Sequence, residues 1–219
     1  MSTSSSARYK LAVLVSGSGT ILQAMIDRRV EISLVVADRP CRGIEIAREA
    51  GIDTLVIDRN DFGWNTNEPW DTQTHFDRDN FSKAVATALD ASDISLVALS
   101  GFMTILSHPF FERYAGHVIN THPALLPSFP GAHGVRDALR FGVKVTGCTL
   151  HLATEKVDYG PILEQRAFQI PDQGPLSFTE WEDAVQELVK AQERKLYPRV
   201  LKEILRGVRP LPELTEQYR

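Results

Sequence analysis

Short apolar runs alternate with longer amphipathic stretches through the first half of this chain of 219 residues. The apolar runs are residues 10–15, 32–37, 54–57, 94–99 and 117–119, and the amphipathic stretches begin near residue 20 and then occupy residues 43–50, 76–91 and 107–114. Strands of a parallel sheet are apolar on both faces, and an intervening helix carries the chain back to the same end of the sheet. The alternation predicts an α/β fold, doubly wound, with a mostly parallel sheet and helices on both faces.

The pattern changes in the second half of the chain. Residues 144–153 and 162–170 are both strand candidates, and a turn sequence at residues 159–161 separates them. Two strands joined so closely must run in opposite directions, so we expect an antiparallel C-terminal addition to the sheet.

A last helix is predicted from about residue 179 to residue 206. Pro198 lacks a backbone donor, which predicts a kink or a break near Tyr197. The polar residues 59–74 fit neither periodicity and are predicted to form a loop. The expected domain organisation is a mobile leader over residues 1–9, a single domain over residues 10–208, and a C-terminal tail over residues 209–219.

Composition excludes several classes of protein. A net charge of -4 does not provide the positive field that nucleic-acid binding requires, and no apolar run approaches the roughly 20 residues of a membrane span. We therefore expect no nucleic-acid partner, no membrane and a cytoplasmic location. Cys41 and Cys148 are the two cysteines, and neither has a second ligand at metal-binding spacing, so we expect no disulfide and no metal.

The first candidate site is Ser16-Gly-Ser-Gly-Thr20, between the first strand and the first helix. Glycines and a helix N-terminus favour an anion such as a phosphate, although a simple tight turn explains the pattern equally well. A dinucleotide site is the alternative, because Asp38 ends the second strand where an acidic residue would hold a ribose. Leu22 occupies the third-glycine position of that fingerprint, so a phosphomonoester is the preferred interpretation.

The second candidate site begins at Asn120 and His122, after the fifth strand. Residues two apart in an extended chain point the same way, so both side chains can reach one carbonyl oxygen, with His122 also supplying a proton. Asp158 beside the imidazole would favour its charged form. Each residue alone has an ordinary structural explanation, a loop histidine or a turn aspartate.

These motifs together resemble the phosphoribosylglycinamide formyltransferases, a folate-dependent family. The resemblance covers nearly the whole chain and is carried by Ser16-Gly-Ser-Gly-Thr20, Gly101-Phe-Met-Thr-Ile-Leu106, Asn120-Thr-His-Pro-Ala-Leu-Leu-Pro127, Pro130-Gly-Ala-His133, Gly147-Cys-Thr-Leu-His-Leu152, Asp158-Tyr-Gly-Pro161 and Gln192-Glu193. It implies the formyltransferase fold and transfer of the formyl group of 10-formyltetrahydrofolate to glycinamide ribonucleotide. The partners that it implies are small-molecule substrates only, and a homodimer is compatible with it.

The resemblance also implies roles for individual residues. Catalysis is assigned to Asn120, His122 and Asp158, which stabilise the tetrahedral oxyanion and move protons. Substrate binding is assigned to Gly19, Thr20, Ile21, Lys190 and Glu193, and folate binding to Met103, Thr104, Ile105, Leu106, Asn120 and Val157. Four positions depart from the family pattern: Ile21 stands for Asn, Thr104 and Gln73 each for Arg, and Lys190 for Gln.

Three alternatives stay open at this point. A formyltetrahydrofolate hydrolase or a methionyl-tRNA formyltransferase shares the core, but each is expected to carry a further domain for which the sequence leaves no room. A dinucleotide-binding protein built on Gly17, Gly19 and Asp38 is the alternative from a different class, and NAD(P) titration would distinguish it.

Overall fold

The computed structural model describes residues 9–69 and 72–218, so residues 1–8 of the expected leader and residue 219 of the tail lie outside the described residues. Within them the chain forms a seven-stranded sheet of order β3-β2-β1-β4-β5-β6-β7. The strands are β1 (Leu11–Val15), β2 (Leu34–Ala37), β3 (Thr54–Val56), β4 (Leu96–Leu99), β5 (Val118–His122), β6 (Val145–Leu152) and β7 (Ile162–Gln169). The helices are α1 (Thr20–Asp27), α2 (Arg42–Glu49), α3 (Arg78–Ala91), α4 (His108–Tyr114), α5 (Gly134–Phe141) and α6 (Phe178–Leu205).

The strand directions confirm the predicted fold class. Strands β1 to β5 are parallel, whereas β6 runs antiparallel to β5 and β7 antiparallel to β6. The chain progresses to one side of the sheet from β1 and to the other side from β4, so the switch point, where a doubly wound sheet opens a crevice at the carboxyl ends of its strands, lies between β1 and β4.

The sheet separates two apolar layers. In β1 the side chains alternate, so that Leu11, Val13 and Val15 face one layer while Ala12 and Leu14 face the other. Helices α1, α2, α5 and α6 cover the first face, and α3 and α4 cover the second. Both layers are fully buried around β1 and β4, which explains why these strands are continuous apolar runs.

Helix α5 and strand β5 differ from the sequence predictions. Helix α5 was not predicted, although Val135, Ala138 and Leu139 have helical spacing and are buried. Strand β5 continues to His122, because residues 119–122 pair with residues 149–152 of β6, and this pairing extends the strand past its apolar part.

Helix α6 is a single element of 28 residues that contains Pro198, so the predicted break does not occur. The proline costs about 3 kcal/mol in a helix interior, but burial of Tyr197, Val200 and Leu201 offsets this cost at roughly 1.5–3 kcal/mol for each large apolar side chain. The helix starts at a capping box, in which the Ser177 side chain accepts from the Glu180 amide and Glu180 accepts from the Ser177 amide. In the part of the chain that the structure describes, no helix combines the length and apolar character needed to cross a bilayer.

Candidate active site

Strand β5 presents Asn120 and His122 on the face of the sheet covered by α3 and α4. Both residues have the parity of Val118, which packs in that layer. The antiparallel neighbour β6 places His151 directly across from Asn120. The antiparallel pairing of β6 with β5 therefore brings a second histidine, His151, next to Asn120 and His122, the two polar side chains identified from the sequence.

Asp158 reaches these side chains from the loop between β6 and β7. Its Oδ2 atom lies 3.2 Å from Nδ1 of His122, and its Oδ1 atom lies 3.6 Å from Nε2 of His151. The Gly131 amide donates a hydrogen bond of 2.8 Å to Oδ2. Burial alone would raise the pKa of the Asp158 carboxyl, but the contacts with His122, His151 and the Gly131 amide outweigh it and hold the pKa well below its usual value.

The imidazole of His122 is buried and lies between two oxygen acceptors. Nδ1 faces the Asp158 carboxylate at 3.2 Å, and Nε2 lies 2.7 Å from the carbonyl oxygen of Phe129. A neutral imidazole carries one N–H and can satisfy one acceptor, whereas the imidazolium satisfies both. Both ring nitrogens of His122 face an oxygen atom.

His151 has no exposed surface, and reasoning from the sequence assigned it no role. Its Nδ1 lies 2.9 Å from the Leu152 carbonyl oxygen, and its Nε2 lies 3.5 Å from Nδ2 of Asn120 and 3.6 Å from Oδ1 of Asp158. The signal was present in the sequence, since His151 stands at the same parity as the buried Thr149 in the predicted strand.

The opposite face of β5 carries a different pair. Thr121 points toward α6, and its hydroxyl donates a hydrogen bond of 2.9 Å to Glu193. Glu193 is buried, and burial raises the pKa of its carboxyl despite the Thr121 hydrogen bond. One helical turn earlier on α6, Lys190 pairs with Glu187 at 2.8 Å. Of the residues assigned to substrate binding, Lys190 and Glu193 thus lie on the α6 side of the sheet.

The glycine turn after β1 brings α1 and α2 together. Gly19 has φ 68° at the N-cap of α1, and a Cβ atom there would lie 2.8 Å from Cα of Gly43. Thr20 is exposed at the first turn of α1, whereas the Ile21 side chain is buried in the core. Ile21 can therefore offer a ligand only its backbone.

The segment 103–106 follows β4 at the same end of the sheet. The Met103 side chain is 62% exposed, while Thr104 and Leu106 are buried and Ile105 is intermediate. The Met103 amide donates to the Ser16 hydroxyl at 2.9 Å, which ties this segment to the end of β1. Val157, next to Asp158, is half exposed.

Two polar residues named from the sequence serve the structure itself. Asp38 has no exposed surface, and its Oδ2 accepts a hydrogen bond of 2.6 Å from the Thr104 hydroxyl. A carboxylate so enclosed cannot hold a ribose, which removes the main support for a dinucleotide site. Gln73 accepts from the Asn65 amide at 2.7 Å and donates to the carbonyl oxygens of Asn65 and Glu68. It closes the loop upon itself, instead of standing free as a ligand contact.

Within residues 9–69 and 72–218, no group of three or more His, Cys, Asp or Glu side chains is placed to hold a metal ion. Cys148 is buried in β6, and burial raises the pKa of its thiol to about 12, so it is a poor nucleophile.

Comparison with known proteins identifies the family. Residues 9–201 match the formyl transferase family. The chain is 39% identical to phosphoribosylglycinamide formyltransferase of Mycobacterium tuberculosis, over 87% of this chain and 82% of that protein. It is 36% identical to human trifunctional purine biosynthetic protein adenosine-3, over 94% of this chain and 19% of that protein. Glycinamide ribonucleotide transformylase 1 from Symbiobacterium toebii has the same fold, with a TM-score of 0.77 and 32% identity over 94% of each chain. The chain therefore belongs to the formyl transferase family, among the phosphoribosylglycinamide formyltransferases.

Proposed function

We propose that this protein transfers the formyl group of 10-formyltetrahydrofolate to the amino group of glycinamide ribonucleotide, using Asn120, His122 and Asp158. The observation that carries the proposal is the convergence of these side chains at the carboxyl end of β5, with His122 and Asp158 only 3.2 Å apart. Both partners in the reaction are small molecules, and we expect it to take place in the cytoplasm.

His122 acts on the formyl oxygen. When the amine attacks the formyl carbon, negative charge develops on that oxygen, and an imidazolium N–H stabilises it most strongly where water is excluded. In this structure Nε2 of His122 donates to the Phe129 carbonyl oxygen. The formyl oxygen must take the place of this carbonyl, so binding of the formyl donor shifts Phe129 or its loop.

Asp158 and Asn120 complete the set. Asp158 stabilises the imidazolium. It also helps proton transfer: the attacking amine loses a proton, and the departing folate nitrogen gains one. The low pKa of Asp158 keeps it ionised, so its part in this transfer is to stabilise and orient the imidazole that carries the proton. The Asn120 amide supplies a neutral donor beside the developing oxyanion, and the cross-strand contact with His151 orients it.

The ribonucleotide approaches from the α6 side of the sheet. Backbone groups at Gly19, Thr20 and Ile21 form the start of α1, where a helix N-terminus favours a phosphate, and Lys190 adds a positive charge. Glu193, held by Thr121 under the end of β5, contacts the remainder of this substrate. The folate lies on the other side, against residues 103–106 and Val157, so that the two substrates meet at the end of β5.

The test is amine-dependent deformylation. The protein is incubated with 10-formyltetrahydrofolate with and without glycinamide ribonucleotide, and release of the deformylated folate is followed. Turnover should require the amine, and His122→Ala should lower kcat by roughly 10²-fold or more, as expected for a general acid.

His117→Ala is the matched control, because His117 is an exposed histidine at the opposite end of β5. It should keep normal turnover. Deformylation that proceeds equally without the amine would identify a hydrolase, and full activity in a folded His122→Ala variant would disprove the assigned role.

A further inference from the structure

Three loops meet in a buried charged cluster beside the segment 103–106. Asp38 follows β2, Arg59 begins the 3-10 helix Arg59–Phe62, and Thr104 follows β4. The Thr104 hydroxyl donates to Asp38 Oδ2 at 2.6 Å, while Nη1 of Arg59 lies 3.4 Å from that same oxygen and 3.3 Å from the Thr104 hydroxyl. Each of the three residues thus contacts the other two.

The cluster is shielded from solvent. Asp38 is 0% exposed, Thr104 3% and Arg59 6%. The Trp64 ring covers the guanidinium, with the Arg59 Cζ atom 4.1 Å from the ring centroid. The second carboxylate oxygen of Asp38 is buried without a hydrogen-bond partner among the described residues, and Arg59 is the cation that pairs with this carboxylate, 3.4 Å from its other oxygen.

The cluster determines where the segment 103–106 lies. Thr104 is tied to the end of β2 through Asp38, and its neighbour Met103 is tied to the end of β1 through the Ser16 hydroxyl. Two consecutive residues are therefore attached to two different strands. Arg59 adds the 59–74 loop to the same unit, since its own amide donates to the Asp38 carbonyl oxygen at 3.0 Å.

The departure of this chain from the family pattern has a counterpart in space. The family resemblance implies an arginine where this chain has Thr104, and here a guanidinium reaches the Thr104 hydroxyl from residue 59. A short side chain at 104 leaves room for Arg59, and a second guanidinium in the same dry space would repel the first.

We propose that Arg59 is a positioning residue for the formyl donor: together with Asp38 it fixes Thr104 and so sets the affinity of the segment 103–106 for the folate. The inference rests on the proposed function in one respect, the assignment of the folate to this segment. It makes the 59–74 loop part of the architecture of the donor site.

The first test removes one hydroxyl. Thr104→Val keeps the shape of the side chain and disconnects the segment from the cluster, so KM for 10-formyltetrahydrofolate should rise about fivefold to tenfold, the size expected for one buried hydrogen bond. We expect kcat and KM for the ribonucleotide to stay within about twofold, because the groups at β5 are untouched. Thr104→Ser should restore the donor KM.

Thr146→Val is the matched control for this change. Thr146 is a buried threonine of β6 whose hydroxyl has no hydrogen-bond partner among the described residues. Its replacement should leave all three kinetic constants unchanged. An unchanged donor KM in Thr104→Val, or the same increase in Thr146→Val, would overturn the proposal.

The second test separates positioning from stability. Arg59→Met leaves Asp38 buried without its partner and should lower the melting temperature and raise the donor KM together. The double variant Asp38→Asn, Arg59→Met removes both charges and should regain the melting temperature, yet keep a donor KM at least about threefold above that of the parent protein, because Thr104 still lacks the guanidinium. If the double variant recovered both the melting temperature and the donor KM of the parent protein, Arg59 would be only the partner of Asp38 in a structural ion pair, and the proposal would be wrong.

Binding of the formyl donor alone, measured by calorimetry without any amine, keeps this test distinct from the proposed function. Should the ribonucleotide prove not to be the acceptor, weaker donor binding in Thr104→Val would still support the role of Arg59. Unchanged donor binding in that variant would refute the role, even if formylation of the ribonucleotide were confirmed.

Discussion

A buried carboxyl group lies against each face of β5, Asp158 beside His122 and Glu193 beside the neighbouring Thr121, and the pKa values of the two are shifted in opposite directions. On one face Asp158 meets two histidines and a backbone amide, and its pKa falls. On the other face Glu193 meets one threonine hydroxyl, and burial raises its pKa. The comparison teaches that burial raises the pKa of a carboxyl group in both places, and that the number and charge of its hydrogen-bond donors decide whether this effect is overcome.

The two faces of β5 also differ in the chemistry that their carboxyl groups can perform. The Asp158 face holds an ionised carboxylate against an imidazole, which suits proton transfer. The Glu193 face offers a carboxyl group that is easily protonated, which suits hydrogen bonding to a polar substrate. We infer that the strand separates the reacting groups from the groups that hold the amine substrate, and the following predictions test this division.

The largest effect is expected from Asp158→Asn, which removes the charge and keeps the size. His122 loses the carboxylate that supports its cation, so kcat should fall by roughly 10²-fold or more with the fold intact. Since the pKa of Asp158 is lowered in the folded protein, its ionisation contributes stability above its usual value of 3.8, and this contribution is lost as the pH falls further.

Steady-state kinetics and thermal unfolding measured on the same variant check both statements. The gap in melting temperature between the parent protein and Asp158→Asn should narrow as the pH drops below about 4. A kcat within tenfold of the parent value would mean that the carboxylate is not required.

Glu193→Gln should affect catalysis less than Asp158→Asn does. Its effect on stability should depend on pH in the opposite direction. The raised pKa of Glu193 gives stability that is fully present below its usual value of 4.5 and is lost as the pH rises through the raised pKa. The glutamine has no charge to bury and can still accept from Thr121, so the variant should become more stable than the parent protein as the pH increases.

Melting temperatures across a pH series provide the measurement, and KM for the ribonucleotide should rise by less than about tenfold. Glu187→Gln is the control on the same helix, because Glu187 is exposed and its hydrogen bond with Lys190 lowers its pKa. It should show no gain in stability at high pH, and a gain as large as that of Glu193→Gln would contradict the assignment.

The smallest effect is expected from Glu155→Gln. Glu155 pairs with His108, which connects the Asp158 loop to the start of α4, but both side chains are half exposed or more. Exposed pairs contribute about 0–1 kcal/mol, so kcat should change less than about threefold. A larger loss would show that the loop depends on this surface pair more than on its buried contacts.

The sequence predicted the sheet well because its signal is local. Apolar runs and helical spacing are properties of neighbouring residues, and they located every strand to within a few positions. The carboxyl end of β5 was missed because Asn120 and Thr121 are polar, and only pairing with a strand 30 residues later extends it. Helix α5 was missed although its apolar spacing was visible.

The site was harder to predict because its contacts join distant parts of the chain. Asn120 and His122 could be paired by strand parity, but a turn residue was an adequate explanation of Asp158 from the sequence, and only the fold brings it beside His122. Arg59 gave no signal at all, since a polar loop predicts neither burial nor a partner at residue 104.

Asp158 is also one of the few described residues other than glycine with a positive φ, at 58°. Among residues with a side chain, Asn and Asp adopt this left-handed conformation most readily, while the longer Glu, the other carboxylate, does so rarely. Any mutation at this position therefore loses either the charge or the backbone fit. Natural variation has no neutral route away from aspartate here, so the position should stay invariant in descendants of this chain for as long as the reaction is under selection.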